Sequence, residues 1–367
     1  MSVYPETTKP EGTQVSTRPR AHILFSGAGG STIGAEAAGY DTIGWEKWPR
    51  AVEFHRSNIG PCEEADLAVT GPTEHTDLVW SSNPCQPFSS AGLRLGAADP
   101  RDGFPWLLRI VTDVRPRVVI AENVPRVTSH GAYFAWLLNE FRQLGYSVDW
   151  KILNAADWGV PQKRWRLFVI GRLDARPVWP LATHAQQPGL LGERPWVTMA
   201  AGCGWTSQTE VRTVGLQPGG WTDDPDRPTN RRLWDPYTEP APTVAFGHDI
   251  ERWRWVNTRT LNGTIDSHAA PAPALTTKTC GQWVHHRPAT VVTTRAGTVP
   301  HPGRHDPNTP GSQNAGVRIT LAEAAALQGF PPGLPWDQAR GAGTMIGNAV
   351  PPVMAEVLIR SNRDPLL

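Results

Sequence analysis

Cysteine is scarce: the 367 residues hold four, at Cys62, Cys85, Cys203 and Cys280, too far apart for any CxxC pair. That spacing excludes a disulfide framework and a thiolate zinc cluster, and it fits a reducing compartment. No apolar run reaches the ~18 residues of a membrane span, and the N-terminus lacks a hydrophobic signal core. A soluble, cytoplasmic protein of a bacterial or phage-infected cell is expected, with no membrane partner. Charge of one sign is also missing, since 35 basic residues face 34 acidic ones. A basic surplus therefore cannot carry a nucleic-acid role, which must rest on a particular site. Lysine is nearly absent, with five residues against thirty arginines. A GC-rich genome accounts for that bias, although arginine is also the better bidentate partner for phosphate and guanine. Seven of the eleven histidines fall within 181–315 without ligand-like spacing, so no metal is expected.

What is present is an ordered succession of textures. Residues 1–20, rich in Thr, Pro and charge, read as a disordered tail. From 21 to about 180, short apolar runs alternate with helical stretches. Strands are expected at His22–Ser26, Asp41–Glu46, Asp77–Ser81, Arg117–Ala121, Val148–Leu153 and Leu167–Gly171. Helices are expected from Ser31, over Pro49–Asn58 and Phe104–Val114, and over Ala132–Leu144. Such alternation argues for an α/β fold, a mostly parallel sheet with helices on both faces. Between 181 and 315 the helical periodicity fades and Pro, Gly and Trp become dense. Three similar pieces recur there, "PAPTVAFG", "PAPALTTK" and "RPATVVTT", each reading as a turn followed by a short strand. This stretch reads as an inserted β and loop domain. Order returns over 316–363, where Thr320 and Glu323 form a capping-box pattern opening a helix that Gly329 ends. A last helix is expected over Val350–Arg360, with Pro351 and Pro352 in its first turn.

Four short motifs carry chemistry. "FSGAGG", Phe25–Gly30, leaves a strand and enters a helix, and its glycines let backbone pass beneath a ligand. The dinucleotide fingerprint is incomplete, because Gly27 and Gly29 are followed by Thr32. A nucleoside ligand without phosphates suits such a turn. Glu46, closing the next strand, is placed for ribose hydroxyls, and Asp66 for an adenine amino group. "PCQPFSSAG", Pro84–Gly92, puts Cys85 at the carboxyl end of a strand, where α/β sheets bind ligands. A buried packing role is the ordinary one for cysteine. The polar, stiff loop around Cys85 favours a nucleophilic thiol instead, while the other three cysteines read as structural. "AENV" ends a neighbouring strand with Glu122, a candidate acid. In "VPQKRWR", strand alternation sends Gln162, Arg164 and Arg166 to one face, where two guanidiniums can clamp an anion or hold a base carbonyl.

Taken in order, "FSGAGG", "PCQPFS", "ENV", "QKRWR", "RITLAEAAALQGFP" and "GNAVPP" resemble the motif series of the DNA cytosine-5 methyltransferases. The resemblance covers about 20–180 and 316–361. It implies a Rossmann-like, S-adenosylmethionine-dependent methyltransferase core, interrupted by a target-recognition domain at the insert. Residue by residue, it implies Cys85 as nucleophile, Glu122 as the acid beside it, Arg166 on the flipped cytosine and Arg164 as its partner. Phe25, Glu46, Asp66 and Asn348 match cofactor-pocket positions, while Gly27, Gly29 and Pro84 shape that pocket. One position departs: an apolar residue commonly follows the ribose-binding Glu, and here Lys47 does, with only its aliphatic stem to cover adenine.

Duplex DNA is the partner so implied. Gln86 and Ser89 beside the nucleophile, with Arg231, Arg232, Arg252 and Arg254 of "RRLW" and "ERWRW", are the expected contacts. Most of the insert's tryptophans read as the small core of a helix-poor domain. A monomer is expected, with a cognate restriction endonuclease acting separately. The competing expectations are a catalytically silent DNA-binding homologue, or a same-fold transferase that moves a modified group or acts on RNA. An NAD-dependent dehydrogenase would explain the Gly-rich turn but not the Pro-Cys-Gln loop.

Overall fold

The computed structural model describes residues 18–88, 99–189, 192–204 and 320–363, plus the strand backbone at 214–215, 233–234, 241–242 and 254–255. In chain order the first elements are β1 (Arg20–Leu24), α1 (Gly30–Ala37), β2 (Asp41–Glu46), α2 (Pro49–Asn58), β3 (Cys62–Glu64) and β4 (Leu78–Ser82). Next come α3 (Phe104–Val114), β5 (Val118–Asn123), α4 (Gly131–Gln143), β6 (Ser147–Asn154), β7 (Gln162–Lys163) and β8 (Trp165–Arg172). Four further helices complete the set: α5 (Met199–Cys203), α6 (Leu321–Leu327), α7 (Ala342–Asn348) and α8 (Pro352–Asn362).

Seven strands form one mixed sheet in the order β3-β2-β1-β4-β5-β8-β6. The pairs from β3 through β5 are parallel, and β8 runs antiparallel to both β5 and β6. Strand order reverses between β1 and β4, so a crevice opens beyond their carboxyl ends. Both sheet faces are covered. Ile23, Trp80, Ile120 and Phe168 pack on Met354, Leu358 and Ile359 of α8. On the other face, Val79, Val119 and Val169 meet Leu107 and Val111 of α3 and Leu137 and Phe141 of α4. A third cluster joins α2 to the C-terminal helices, with Phe54 stacked on Trp336 at 4.5 Å between ring centroids.

Several expectations shift. Of the tail expected over 1–20, residues 18–20 are built into the fold, because Arg20 opens β1 and Arg18 donates to the carbonyls of Glu36 and Gly39; residues 1–17 lie outside the described residues. Beyond the insert boundary expected at 181, Met199 of α5 is buried in the cluster of α6 and α7. Trp196 likewise donates to Asp157 Oδ1 at 2.9 Å and faces the Lys163 ammonium, so its role is structural. The stretch Ala342–Asn362 is in fact long and apolar enough to span a membrane by composition. Yet it is two helices broken around Ala349–Pro351, and 61% of its apolar window is buried in the core. The capping box forms as read, with Thr320 accepting from Glu323 N and the Glu323 carboxylate accepting from Thr320 N at 2.8 Å.

Within the insert, Val214–Gly215 is flanked by antiparallel strands Leu233–Trp234 and Arg254–Trp255, the last two residues of "RRLW" and of "ERWRW". Of the three recurring pieces, the first supplies strand Ala241–Pro242, paired parallel with β7. The other two lie outside the described residues, as do Ser89, Arg231, Arg232 and Arg252. Arg254 is described in its backbone only, paired with Gly215.

Candidate active site

The Gly-rich turn begins where β1 stops. Phe25 adopts φ 53°, a left-handed conformation uncommon for a residue with a side chain. Gly27 follows at φ 52° and Gly29 at φ 82°, so three reversals in five residues fold the chain back into α1. Glu46, closing β2 beside this turn, accepts from the backbone N–H of Gly27 at 2.9 Å, Lys47 at 2.9 Å and Trp48 at 2.8 Å. Its carboxylate therefore organises the turn. Oε2 accepts one of these bonds, which leaves it a lone pair directed elsewhere. Gly29 shapes the turn from behind, because a Cβ there would meet Ile59 at 2.9 Å.

Asp66 does not reach the same cavity. Its carboxylate pairs with the Lys47 ammonium at 2.9 Å and accepts from Ala68 N, and the Lys47 bond holds its pKa below the usual range. The carboxylate expected to contact adenine is engaged here by local pairing across the β2 and β3 ends. Lys47 turns its head to Asp66 for the same reason, and it is largely exposed.

The reactive end is built from β4, β5 and β8. After β4 the chain turns tightly, with Phe88 N donating to the Cys85 carbonyl at 3.0 Å. Phe88 plugs into the core edge to edge with Phe104, which anchors that turn. Cys85 stands half-buried at its start, and Gln86 beside it is exposed. Strand β5 runs two residues further than expected, so Glu122 lies within it, opposite Ser82 on one side and Phe168 on the other. Arg166 shares a sheet face with Phe168, two residues on. That register brings Arg166 Nε to 3.1 Å from Glu122 Oε1.

Gln162, Arg164 and Arg166 do share a face, but they do different work. Arg164 is 1% exposed, and its Nη2 donates to the carbonyls of Gly347 at 3.0 Å and Ala349 at 2.9 Å. Gln162 donates to Gln328 Oε1 at 2.9 Å. Arg166 is aimed at Glu122, Arg164 also ties the strand to the end of α7, and both residues line the same cavity.

The Gly-rich turn and the reactive end open on one cavity of about 250 Å³. Phe25, Gly27, Glu46 and Asn348 line one part of it, and Pro84, Cys85, Gln86, Glu122, Arg164 and Arg166 line the other. Sequence reasoning missed Trp48, Asn83 and Asn123 in this lining. Asn123 was within reach as the middle of "ENV", and its Nδ2 donates to the Asn83 carbonyl at 3.3 Å, bracing the cysteine turn against β5. Nothing in the spacing pointed to Trp48.

The electrostatics of Cys85 and Glu122 are linked. Burial pushes the Glu122 carboxyl above its ordinary pKa, and the guanidiniums of Arg166 and Arg164 oppose this. Burial also pushes the Cys85 thiol up, and the Glu122 charge adds to the rise while Arg166 counters it. Protonating Glu122 thus removes one of the two forces that disfavour the Cys85 thiolate. A proton on the carboxyl and a charge on the sulfur favour each other.

Comparison with known proteins places the chain in a family. M.AplI, a type II methyltransferase of Arthrospira platensis, is 37% identical over 173 residues, covering 46% of this chain and 50% of that protein. M.NgoBI of Neisseria gonorrhoeae is also 37% identical, over 164 residues, so the match spans about half the length of these relatives. M.XorII of Xanthomonas oryzae pv. oryzae aligns more fully, at 28% identity across 93% of this chain and 84% of its own length. Among solved structures, the S. pombe Dnmt2 methyltransferase shares the fold at a TM-score of 0.57 and 18% identity, covering 94% of this chain and 98% of that one. A family model described as C-5 cytosine-specific DNA methylase matches residues 21–363. The chain therefore belongs to the C-5 cytosine-specific DNA methylases, a family of S-adenosylmethionine-dependent enzymes.

Proposed function

We propose that this protein methylates carbon 5 of a cytosine flipped out of duplex DNA, using S-adenosylmethionine, with Cys85 as nucleophile and Glu122 as acid. The observation that carries the reading is the Glu122–Arg166 pair at 3.1 Å, sharing one cavity with Cys85 and the Gly-rich turn. The turn fits the cofactor. Gly27 has nothing within 4 Å of where a Cβ would project, and Glu46 Oε2 keeps a lone pair for a ribose hydroxyl. Asn348 and Phe25 line the same part. When bound there, S-adenosylmethionine supplies an electrophilic methyl group.

Carbon 5 of cytosine is a poor nucleophile, and in a duplex it lies inside the base stack. Methyltransferases are a named example of enzymes that flip such a base out, at a cost of a few kcal/mol. Cys85 Sγ adds to carbon 6, and the ring electrons shift toward carbon 5 and nitrogen 3. Glu122 delivers its proton to nitrogen 3, so charge does not build on the ring. Arg166, held against Glu122, orients the base through its carbonyl oxygen. Carbon 5 would then take the methyl group as that group's bond to the sulfonium sulfur breaks and the thioether leaves. Carbon 5 gives its proton to water, the freed pair closes the carbon 5–carbon 6 double bond and expels the Cys85 thiolate, and nitrogen 3 returns its proton to Glu122. A thiolate suits both addition and departure.

On this reading the insert selects the DNA sequence. The enzyme then works as a cytoplasmic monomer, with a restriction endonuclease acting separately. The test is expression in a host whose DNA lacks 5-methylcytosine, followed by mass spectrometry of nucleosides from DNA and RNA. We expect 5-methylcytosine in DNA and none with Cys85→Ser. Unmodified cytosine alongside folded wild-type protein that binds S-adenosylmethionine rejects the activity. Product confined to RNA reassigns the substrate.

A further inference from the structure

We infer that His55 is a positioning residue for the cofactor turn, its imidazole holding the Gly27 carbonyl while Glu46 holds the Gly27 N–H. The inference rests on the proposed use of this turn for S-adenosylmethionine. His55 lies on the inner face of α2 with its side chain fully buried. Its Nδ1 stands 3.4 Å from the Gly27 carbonyl oxygen. On the opposite side of that residue, Gly27 N donates to Glu46 Oε2 at 2.9 Å. Both polar groups of one glycine are thus gripped, at a backbone conformation of φ 52° that leaves no side chain to anchor it.

The seat for the ring is cut into β2. A Cβ on Gly44 would come within 2.7 Å of His55 Cε1, 3.1 Å of His55 Nε2 and 2.8 Å of Ser26 Oγ. Only glycine at that position lets α2 bring the imidazole beneath the turn. An ordinary core histidine is hydrogen-bonded at both nitrogens, yet His55 Nε2 has no partner among the described residues. Leaving a buried nitrogen unpaired is unfavourable, and an apolar side chain of similar size would avoid it. The imidazole is therefore explained by its one bond, to Gly27. Burial holds the His55 pKa down to about 4, so near neutrality the ring is uncharged and carries a single N–H. With that hydrogen on Nδ1, the ring donates to the Gly27 carbonyl and fixes the plane of the peptide that carries the next residue of the turn.

His55 lies outside the cavity lining and acts on it only through Gly27. Loss of His55 should therefore weaken cofactor binding and spare the chemical step. The experiment compares wild type, His55→Leu, His55→Asn and His55→Gln in the full chain. S-adenosylmethionine affinity is read by calorimetry, and methyl transfer is measured at saturating DNA. His55→Leu should raise Kd and KM for S-adenosylmethionine about fivefold, the equivalent of one net hydrogen bond, with kcat at saturation within about twofold. His55→Asn should recover most of the loss, because its amide nitrogen stands as many bonds from the backbone as Nδ1. The Gln amide reaches further, toward the Nε2 position, and should not recover it. Should His55→Leu fail to fold, the Asn and Gln variants alone decide the point. Intact affinity in His55→Leu, or equal losses in Asn and Gln, overturns this inference alone. A wild-type chain that binds no S-adenosylmethionine overturns the proposed function and this inference with it.

Discussion

Replacing Gly34 with alanine sets two opposed effects against each other. In an open helix, Gly→Ala is favourable by about 1 kcal/mol, because alanine loses less backbone entropy. Gly34 lies within α1, where that gain should apply. Its missing Cβ, however, is what admits α8. An added Cβ would stand 2.4 Å from the Pro352 carbonyl oxygen, 2.6 Å from Ala355 Cβ and 2.8 Å from Glu356 N. Two of these three atoms are backbone, so no side-chain rotation relieves them. Ordinary contact begins near 3.4 Å, which requires α8 to retreat by about 1 Å. That helix carries Met354, Leu358 and Ile359, none more than 1% exposed, so retreat opens the core beneath it. Overpacking of this kind costs about 1–3 kcal/mol, and contact with rigid backbone belongs at the upper end. The net expectation is destabilisation by about 2 kcal/mol. Urea unfolding should show a lower midpoint at an unchanged m-value. Gly131→Ala, at the start of α4 with nothing within 4 Å of the new Cβ, should be neutral or slightly stabilising. A Gly34→Ala midpoint at or above that of wild type refutes the account of how α1 meets α8.

Two further outcomes follow from the titratable groups. Glu122→Gln keeps the shape and can still offer an N–H to the ring, but it has no proton to give. Single-turnover methylation should fall by about 10²–10⁴-fold with S-adenosylmethionine affinity unchanged, and a loss under tenfold removes Glu122 from proton transfer. The alkaline limb of the wild-type rate profile, where the carboxyl displaced upward by burial gives up its proton, should vanish in that variant. Stability should also decline in acid, because burial holds His22 and His55 at about 4 against an ordinary 6.5. The unfolded chain binds more protons between those values, so each histidine withdraws about 3 kcal/mol as the pH falls from 6.5 to 4. Urea midpoints at pH 7.5 and 4.5 should therefore converge in His55→Asn relative to wild type. An equal drop in both proteins contradicts the assignment.

Much of this architecture is legible in the chain because punctuation and periodicity agree. Helices α2 and α3 start and stop where Pro49, Asn58, Phe104 and Val114 indicate, each with proline in its first turn. Strand β3 escapes notice because three residues, Cys-Glu-Glu, are too short for alternation to register. Helix α7 escapes because most of it is buried, through Ala342, Gly343, Met345, Ile346 and Gly347, and it lacks the polar face that announces a helix. The site divides in the same way. Cys85, Glu122 and Arg166 can be named from their motifs, but the 3.1 Å contact between the last two depends on antiparallel register, which no local spacing encodes. Arg164 was read as a twin of Arg166 because strand alternation makes the two equivalent. Their difference lies in backbone carbonyls some 180 residues away, which carry no sequence signature.

Those carbonyls also explain why the chain returns to its core after the insert. The segment over 320–363 is the common fastening of two halves of the site that the sheet alone would leave independent. Gly30 and Gly34 let α1, and with it the cofactor turn, press against the backbone of Val350 and Pro352. The carbonyls of Gly347 and Ala349, immediately before those residues, receive Arg164 from the strand that carries Arg166. Gln328 of the same segment bonds both Gln162 and the Ala349 carbonyl, so the two contacts share one rigid corner. A shift of that corner must move the Gly-rich turn and the Arg166 strand together. On the proposed reaction, the methyl donor and the target base would then keep their spacing under thermal motion, because a transfer between them tolerates misplacement of only about 1 Å.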